Sequence, residues 1–203
     1  MESHKMRRLS SLAFIVLALA AGPALAANPQ VEMETTAGTI KLELYPDATP
    51  KTVENFLKYV NAGQYNGTQF HRVIKGFMIQ GGGYDAEFRE RPTRPPVPIE
   101  SELSVKGGLS NQPYTVAMAR TGDPNSAASQ FFINVGDNKR LDFKSADPQG
   151  YGYTVFGKVI AGMDVVDKIA KGATGSGGRF PTDVPVERII IKSARVVTGQ
   201  LAR

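Results

Sequence analysis

At 203 residues and 41% hydrophobic content, the chain is long enough for one ordinary domain with a single apolar core. Its formal charge of +5 is too mild to argue for nucleic acid. With no cysteine and two histidines, it has no disulfides to hold it, too few ligands for an ordinary zinc site and no possible Cys-His nucleophile.

Residues 1–26 read as a secretory signal peptide. Lys5, Arg7 and Arg8 form a basic start, "LSSLAFIVLALAAG" is a short apolar run, and "ALA" at 24–26 is a small-residue cleavage site. The competing reading is a retained membrane anchor, and Met6 is a second candidate start beside the charges. Cleavage would leave 27–203 as a single domain without stable membrane insertion. That portion carries about +3, because the leader takes away three basic residues and one acid. Export without cysteine suits a bacterial envelope protein, so the expected location is the periplasm.

In chain order, "VEMETTAGTIKLELY" (31–45) alternates on both sides of Ala37-Gly38, which predicts a hairpin burying Ile40, Leu42 and Leu44. Thr49 as N-cap and Pro50 in the first turn open a helix, with Val53, Phe56, Leu57 and Val60 on one face and Gly63 as its stop. Asn66-Gly67-Thr68 matches a glycosylation acceptor, but Asn-Gly is equally a turn signal.

The next run, "FHRVIKGFMIQGGG" (70–83), alternates cleanly on neither parity. Either a strand irregularity near Gly76 or an apolar pocket on the outer face of a sheet would produce such a pattern. The proline-rich stretch 84–100 predicts an ordered surface loop, and its basic residues are interrupted by Glu90 and Pro92 rather than forming a phosphate-tracking stripe. Short strands follow in "YTVAMAR", "SQFFINV", "YTVFGKVI" and "VERIIIKSARVV", with a second helix at "MDVVDKIAKG". The glycine clusters "QGGGYD" and "GATGSGGRF" lack the features of nucleotide loops and read as turns; no G-x-S-x-G surrounds any serine. Many strands, two helices and no βαβ rhythm predict a mainly β protein, an antiparallel sheet closed into a barrel.

"FHRVIKGFMIQGG" resembles the signature of the cyclophilins, the peptidyl-prolyl cis-trans isomerases. "VAMAR" at 116–120, "SQFFI" at 129–133, Leu141-Asp142 and "VFGKVI" at 155–160 follow in the family's order, closest to its periplasmic bacterial branch. The resemblance implies a closed eight-stranded antiparallel barrel capped by two α-helices, with a substrate groove on its outside. It implies acceleration of rotation about X-Pro bonds in proline-containing polypeptides, among them unfolded or partly folded exported proteins, with no cofactor. A monomer is expected, since no long apolar stripe is exposed in the pattern.

Carried over residue by residue, the family's catalytic positions are Arg72, Phe77, Gln80 and Phe132. Its substrate-binding positions are Met78, Ala119, Arg120, Gln130, Leu141 and Tyr153. Phe77, Met78, Phe132 and Leu141 would line a proline pocket, Arg72 would donate to the twisting amide, Gln80 would orient it, and backbone near Ala119 and Arg120 would pair with the peptide. His71 reads as structural.

Three positions depart from many eukaryotic members: Arg140 stands for tryptophan, Arg120 for asparagine and Tyr153 for histidine. Loss of the indole implies weak cyclosporin binding, and the two arginines imply a preference for acidic residues near the proline. The alternative function is a chaperone or assembly module that holds proline-containing segments without turnover. Arg72 weighs against it, because aromatics alone suffice to bind proline.

Overall fold

The computed structural model describes residues 27–198; the leader expected over 1–26 lies outside them. β1 (Gln30–Thr35) and β2 (Gly38–Leu44) form the expected hairpin, with Ile40, Leu42 and Leu44 wholly buried. α1 (Pro50–Asn61) buries Val53, Phe56, Leu57 and Val60, and Gly63 takes the left-handed φ of +64° that lets the chain turn away.

The N-terminus of α1 is capped differently from the sequence reading. Thr49 occupies the cap position, but its hydroxyl donates to the Tyr45 carbonyl. The free donors are met from a distance by buried Glu100. Its carboxylate accepts from the Lys51 N–H at 3.1 Å, the Thr52 N–H at 2.8 Å and the Thr52 hydroxyl at 2.7 Å. An anion there also meets the positive end of the helix dipole.

The run from 70 to 83 is two strands, β3 (Thr68–Ile74) and β4 (Met78–Asp85), joined by a turn in which Gly76 has φ +71°. The irregularity that mixes the parities is a bulge at 70–72 rather than at Gly76: Phe70 pairs with Gly81 but Arg72 with Gln80. Phe70 and Val73 therefore both face the core, while Arg72 and Ile74 face outward. The "GGG" of this run is strand, not turn. Gly82 sits in β4 at φ +86°, where a Cβ would press on Tyr65 and Phe131.

α2 (Ser101–Lys106), β5 (Thr115–Met118), β6 (Phe131–Asn134), a 3-10 turn at Lys139–Leu141, β7 (Val155–Ala161) and α3 (Met163–Lys171) follow. β8 (Thr174–Gly177) and β9 (Phe180–Pro185) pair as a separate hairpin where turns were expected, and β10 (Ile191–Thr198) ends the described chain. Among the described residues the α-helices number three rather than two, and none of them is long and apolar enough to cross a membrane.

Eight strands form one antiparallel sheet in the order β10-β1-β2-β7-β5-β6-β4-β3. The expected closed barrel is corrected to an open half-barrel. No ladder joins β10 to β3; one isolated bridge, Gln69 to Ile190, and the bonds Gly67 N–H to Ile191 O (2.8 Å) and Phe70 N–H to Ile189 O (2.9 Å) span the gap. The inner face is filled by Phe56, Phe70, Phe131, Phe156 and their aliphatic neighbours, with Phe56 and Phe156 centroids 5.0 Å apart. α1 packs on β10 and α3 on β2.

Because successive strand residues point to opposite faces, the same strands carry a second apolar cluster outside. Met78, Ala117, Phe132 and Val155 are buried there, apart from the main core, each large side chain contributing on the order of 1.5–3 kcal/mol.

Candidate active site

The outer cluster forms the floor of a groove. In register, Phe132 of β6 lies opposite Gln80 of β4 and Ala117 of β5, so the central strands deliver Phe132, Met78 and Gln80 side by side. The turn after β3 supplies Phe77, the end of β5 leads to Ala119 and Arg120, the 3-10 turn supplies Leu141, and Tyr153 precedes β7. Nine of the ten residues expected at the site, Arg72, Phe77, Met78, Gln80, Ala119, Arg120, Phe132, Leu141 and Tyr153, line one hollow of about 320 Å³. The tenth, Gln130, borders an adjoining hollow and reaches the first through Gln80, whose Nε2 donates to Gln130 Oε1 at 2.9 Å. Gly83 makes that reach possible, since a Cβ there would stand 2.6 Å from the Gln130 side chain.

Arg72 stands at the rim with 43% of its side chain exposed. Its Nη1 donates to Gln80 Oε1 at 3.5 Å, the long end of a hydrogen bond, and its Nε lies 3.9 Å from Asp183 Oδ2 on β9. A guanidinium carries more N–H donors than these two loose contacts use, so donors remain for a ligand in the hollow. His71, the extra residue of the bulge, is buried with its ring against Tyr84 and Phe180. Burial pushes its pKa down to about 4; the Arg72 charge adds to the effect and a backbone bond at Gln69 opposes it.

The apolar wall is held by a polar frame behind it. Asp142 accepts from the Ser110 hydroxyl, from the Asn111 N–H at 2.7 Å and from Asn111 Nδ2 at 2.8 Å. Asn138 Nδ2 donates to the Phe77 carbonyl and to Asn134 Oδ1, both at 2.8 Å. The frame ties the 3-10 turn bearing Leu141 to the turn bearing Phe77. The sequence reading did not single out Asn111, Asn134, Asn138 or Asp183. They are scattered along the chain and carry no local spacing signal.

The backbone expected to pair with a peptide is half used. The Ala119 N–H donates to the Gln130 carbonyl at 3.0 Å, whereas the Ala119 carbonyl and the Arg120 N–H have no partner among the described residues. The three departures from the family pattern all lie along the groove. Arg120 stacks over Tyr153 with Cζ 4.8 Å from the ring centroid, and Arg140 over Phe77 at 4.9 Å.

A hollow with an apolar floor of Phe77, Met78, Phe132 and Leu141 and arginine donors at its edge suits a neutral ring joined to a polar bond. It offers no nucleophile poised beside a base. The sequence pattern of the family described as cyclophilin type peptidyl-prolyl cis-trans isomerase/CLD matches residues 30–196. The chain is 53% identical over 167 residues to peptidyl-prolyl cis-trans isomerase cyp18 of Streptomyces antibioticus, covering 82% of this chain and 98% of that protein. It is 45% identical over 194 residues to peptidyl-prolyl cis-trans isomerase A of Dickeya dadantii, covering 94% and 98%. Among solved structures it is similar to a cyclophilin type peptidyl-prolyl cis-trans isomerase of Cryptosporidium parvum, with a TM-score of 0.66, 28% identity, and 85% and 99% of the two chains covered.

Proposed function

The chain belongs to the cyclophilin-type peptidyl-prolyl cis-trans isomerases and accelerates rotation about X-Pro peptide bonds; we propose that it does so by holding the proline ring in the outer hollow while Arg72 donates to the twisting amide. Uncatalysed rotation crosses roughly 18–20 kcal/mol and takes on the order of 10–100 s. No bond breaks, so the task is to bind the twisted amide better than the planar one. Reaching milliseconds requires about 5–6 kcal/mol of such preference.

Phe77, Met78, Phe132 and Leu141 hold the ring. As the amide leaves planarity, its nitrogen loses resonance and gains a lone pair, which accepts a hydrogen bond that the planar amide cannot. Arg72 supplies that donor, with Gln80 steadying one edge of the guanidinium and Asp183 the other. Gln130, the Ala119 carbonyl and the Arg120 N–H receive the extended peptide on either side. The observation that carries this reading is Arg72 beside the apolar floor of Phe77, Met78, Phe132 and Leu141, with donors to spare. Arg72→Ala should lower kcat/KM on an X-Pro peptide about 10²- to 10³-fold with the fold intact. A variant as active as the parent would remove Arg72 from the mechanism.

The leader pattern over residues 1–26 and the absence of cysteine support export to the periplasm, where unfolded or partly folded exported proteins are the substrates. Mass spectrometry of the protein from separated cell fractions checks this: a chain beginning near residue 27 in the periplasmic fraction is expected. The domain acts as a monomer, since the exposed large apolar side chains of the described residues are few: Leu103 and Val105 on α2, Met163 at the start of α3, Val186 after β9 and Val197 on β10.

Cyclosporin binds weakly, because Arg140 offers a guanidinium where an indole and its N–H would be needed. A titration of activity should show no inhibition at nanomolar cyclosporin, and tight inhibition would refute the point.

A further inference from the structure

A third hollow, of about 510 Å³, continues the groove past Leu141 and Tyr153, with Arg120 and Arg140 on its lining and no acidic residue. We propose that it is a subsite for the carboxylate of an aspartate or glutamate close to the isomerised proline. The inference rests on the isomerase reading of the neighbouring hollow and names the class of segment that hollow prefers.

Both cations are placed in advance. Arg120 is fixed by its stack on Tyr153 and by two bonds, Nε to the Gly152 carbonyl at 2.9 Å and Nη1 to the Thr121 carbonyl at 2.8 Å. Its Nη2 makes no hydrogen bond among the described residues. Arg140 stacks on Phe77 and makes neither a hydrogen bond nor an ion pair there. Such stacking is favourable within about 6 Å and leaves the guanidinium edge open to an anion.

The acids of the surrounding loops are already engaged elsewhere. Asp142 holds Ser110 and Asn111, Asp147 holds the loop at Ser145 and Gly150, Asp137 pairs with Lys139, and Asp123 caps Asn125. By contrast Arg72, across the proline hollow, faces the Asp183 carboxylate, and the adjoining hollow beside Gln130 carries Glu90 on its lining. Neither Arg120 nor Arg140 pairs with a carboxylate among the described residues. Phe77 and Tyr153, the rings under the two guanidiniums, also line the proline hollow, so an anion held there is close along the peptide to the ring.

The site is partly exposed, so the expected gain is modest, about threefold to tenfold. The test uses matched peptides with Glu, Gln or Lys at each of the two positions before and after the proline. Turnover and calorimetric Kd are measured on the parent and on the Arg140→Gln and Arg120→Gln/Arg140→Gln variants. At one of these positions Glu should exceed Lys about threefold to tenfold in both kcat/KM and affinity. The ratio should approach one in 1 M salt, where the screening length is roughly 3 Å, and in the double variant.

Equal values for Glu and Lys at every position, or a Glu preference that survives in the double variant, would overturn the subsite. A Glu preference in Kd without turnover of any peptide would uphold the subsite and refute the role given to Arg72. Should the double variant not fold, the salt series on the parent and the single Arg140→Gln variant decide the same point.

Discussion

His71 shows how one residue of the signature stretch serves the fold while its neighbour faces the groove. The bulge that turns Arg72 outward leaves His71 in an aromatic slot with Nδ1 lacking a hydrogen-bond partner, and the ring stays neutral down to a pH of about 4 against an ordinary 6.5. The folded state therefore binds this proton less readily than the unfolded chain. Its contribution is complete above about 6.5 and is lost as pH falls from there toward 4. Between pH 7.5 and 4 the parent should lose up to about 3 kcal/mol more stability in urea unfolding than His71→Gln, which has nothing to titrate at that position. Equal losses would show that the slot does not exclude the charged ring. At this scale the convergence of the expected residues was legible because Arg72, Phe77, Met78 and Gln80 fall in one run and the others in short motifs that follow in order. Asp183 was not, because it meets Arg72 only through the pairing of distant strands and loops. The mixed parity of 70–83 was visible, but whether pocket or bulge produced it required the register; both are present.

Among the elements, α1 was readable from its apolar spacing, whereas the partner that caps it was not. Glu100 arrives from the far end of the proline-rich loop, and no local pattern links it to Lys51 and Thr52. Replacing it with alanine would leave buried N–H groups without acceptors. Glu100→Ala should lower stability by about 2–3 kcal/mol, read as an earlier unfolding midpoint, while Glu102→Ala on the exposed face of α2 should change little. α2 escaped the sequence reading because its pattern is inverted. Leu103 and Val105 are exposed, while Ser101 and Ser104 are buried and donate to the Tyr151 and Val155 carbonyls. A search for an apolar face cannot find a helix docked by its hydroxyls. The β8–β9 hairpin was hidden for a related reason: its glycines signal turns, and it gains its place through β9 packing on β3 rather than by alternation.

For the whole molecule, strand content and antiparallel pairing followed from composition and turn spacing, but closure did not. Whether a sheet joins its own edges depends on shear and tilt, which no local window contains. The open seam makes the last strand indispensable. β10 pairs along β1, and its first residue Ile191, with Ile189 just before it, supplies the bonds that reach Gly67 and Phe70 across the gap. A chain ending at residue 188 should therefore show no cooperative unfolding transition, and a sharp transition in that truncated chain would refute the dependence. β1 lies between β2 and β10, with roughly 160 residues separating it from its second neighbour. At about 5–20 residues per second of synthesis, the first strand waits on the order of 10–30 s for that neighbour to exist. Throughout that interval the backbone groups on the open side of β1 lack their native partners, an exposed edge that closes only when β10 has been made.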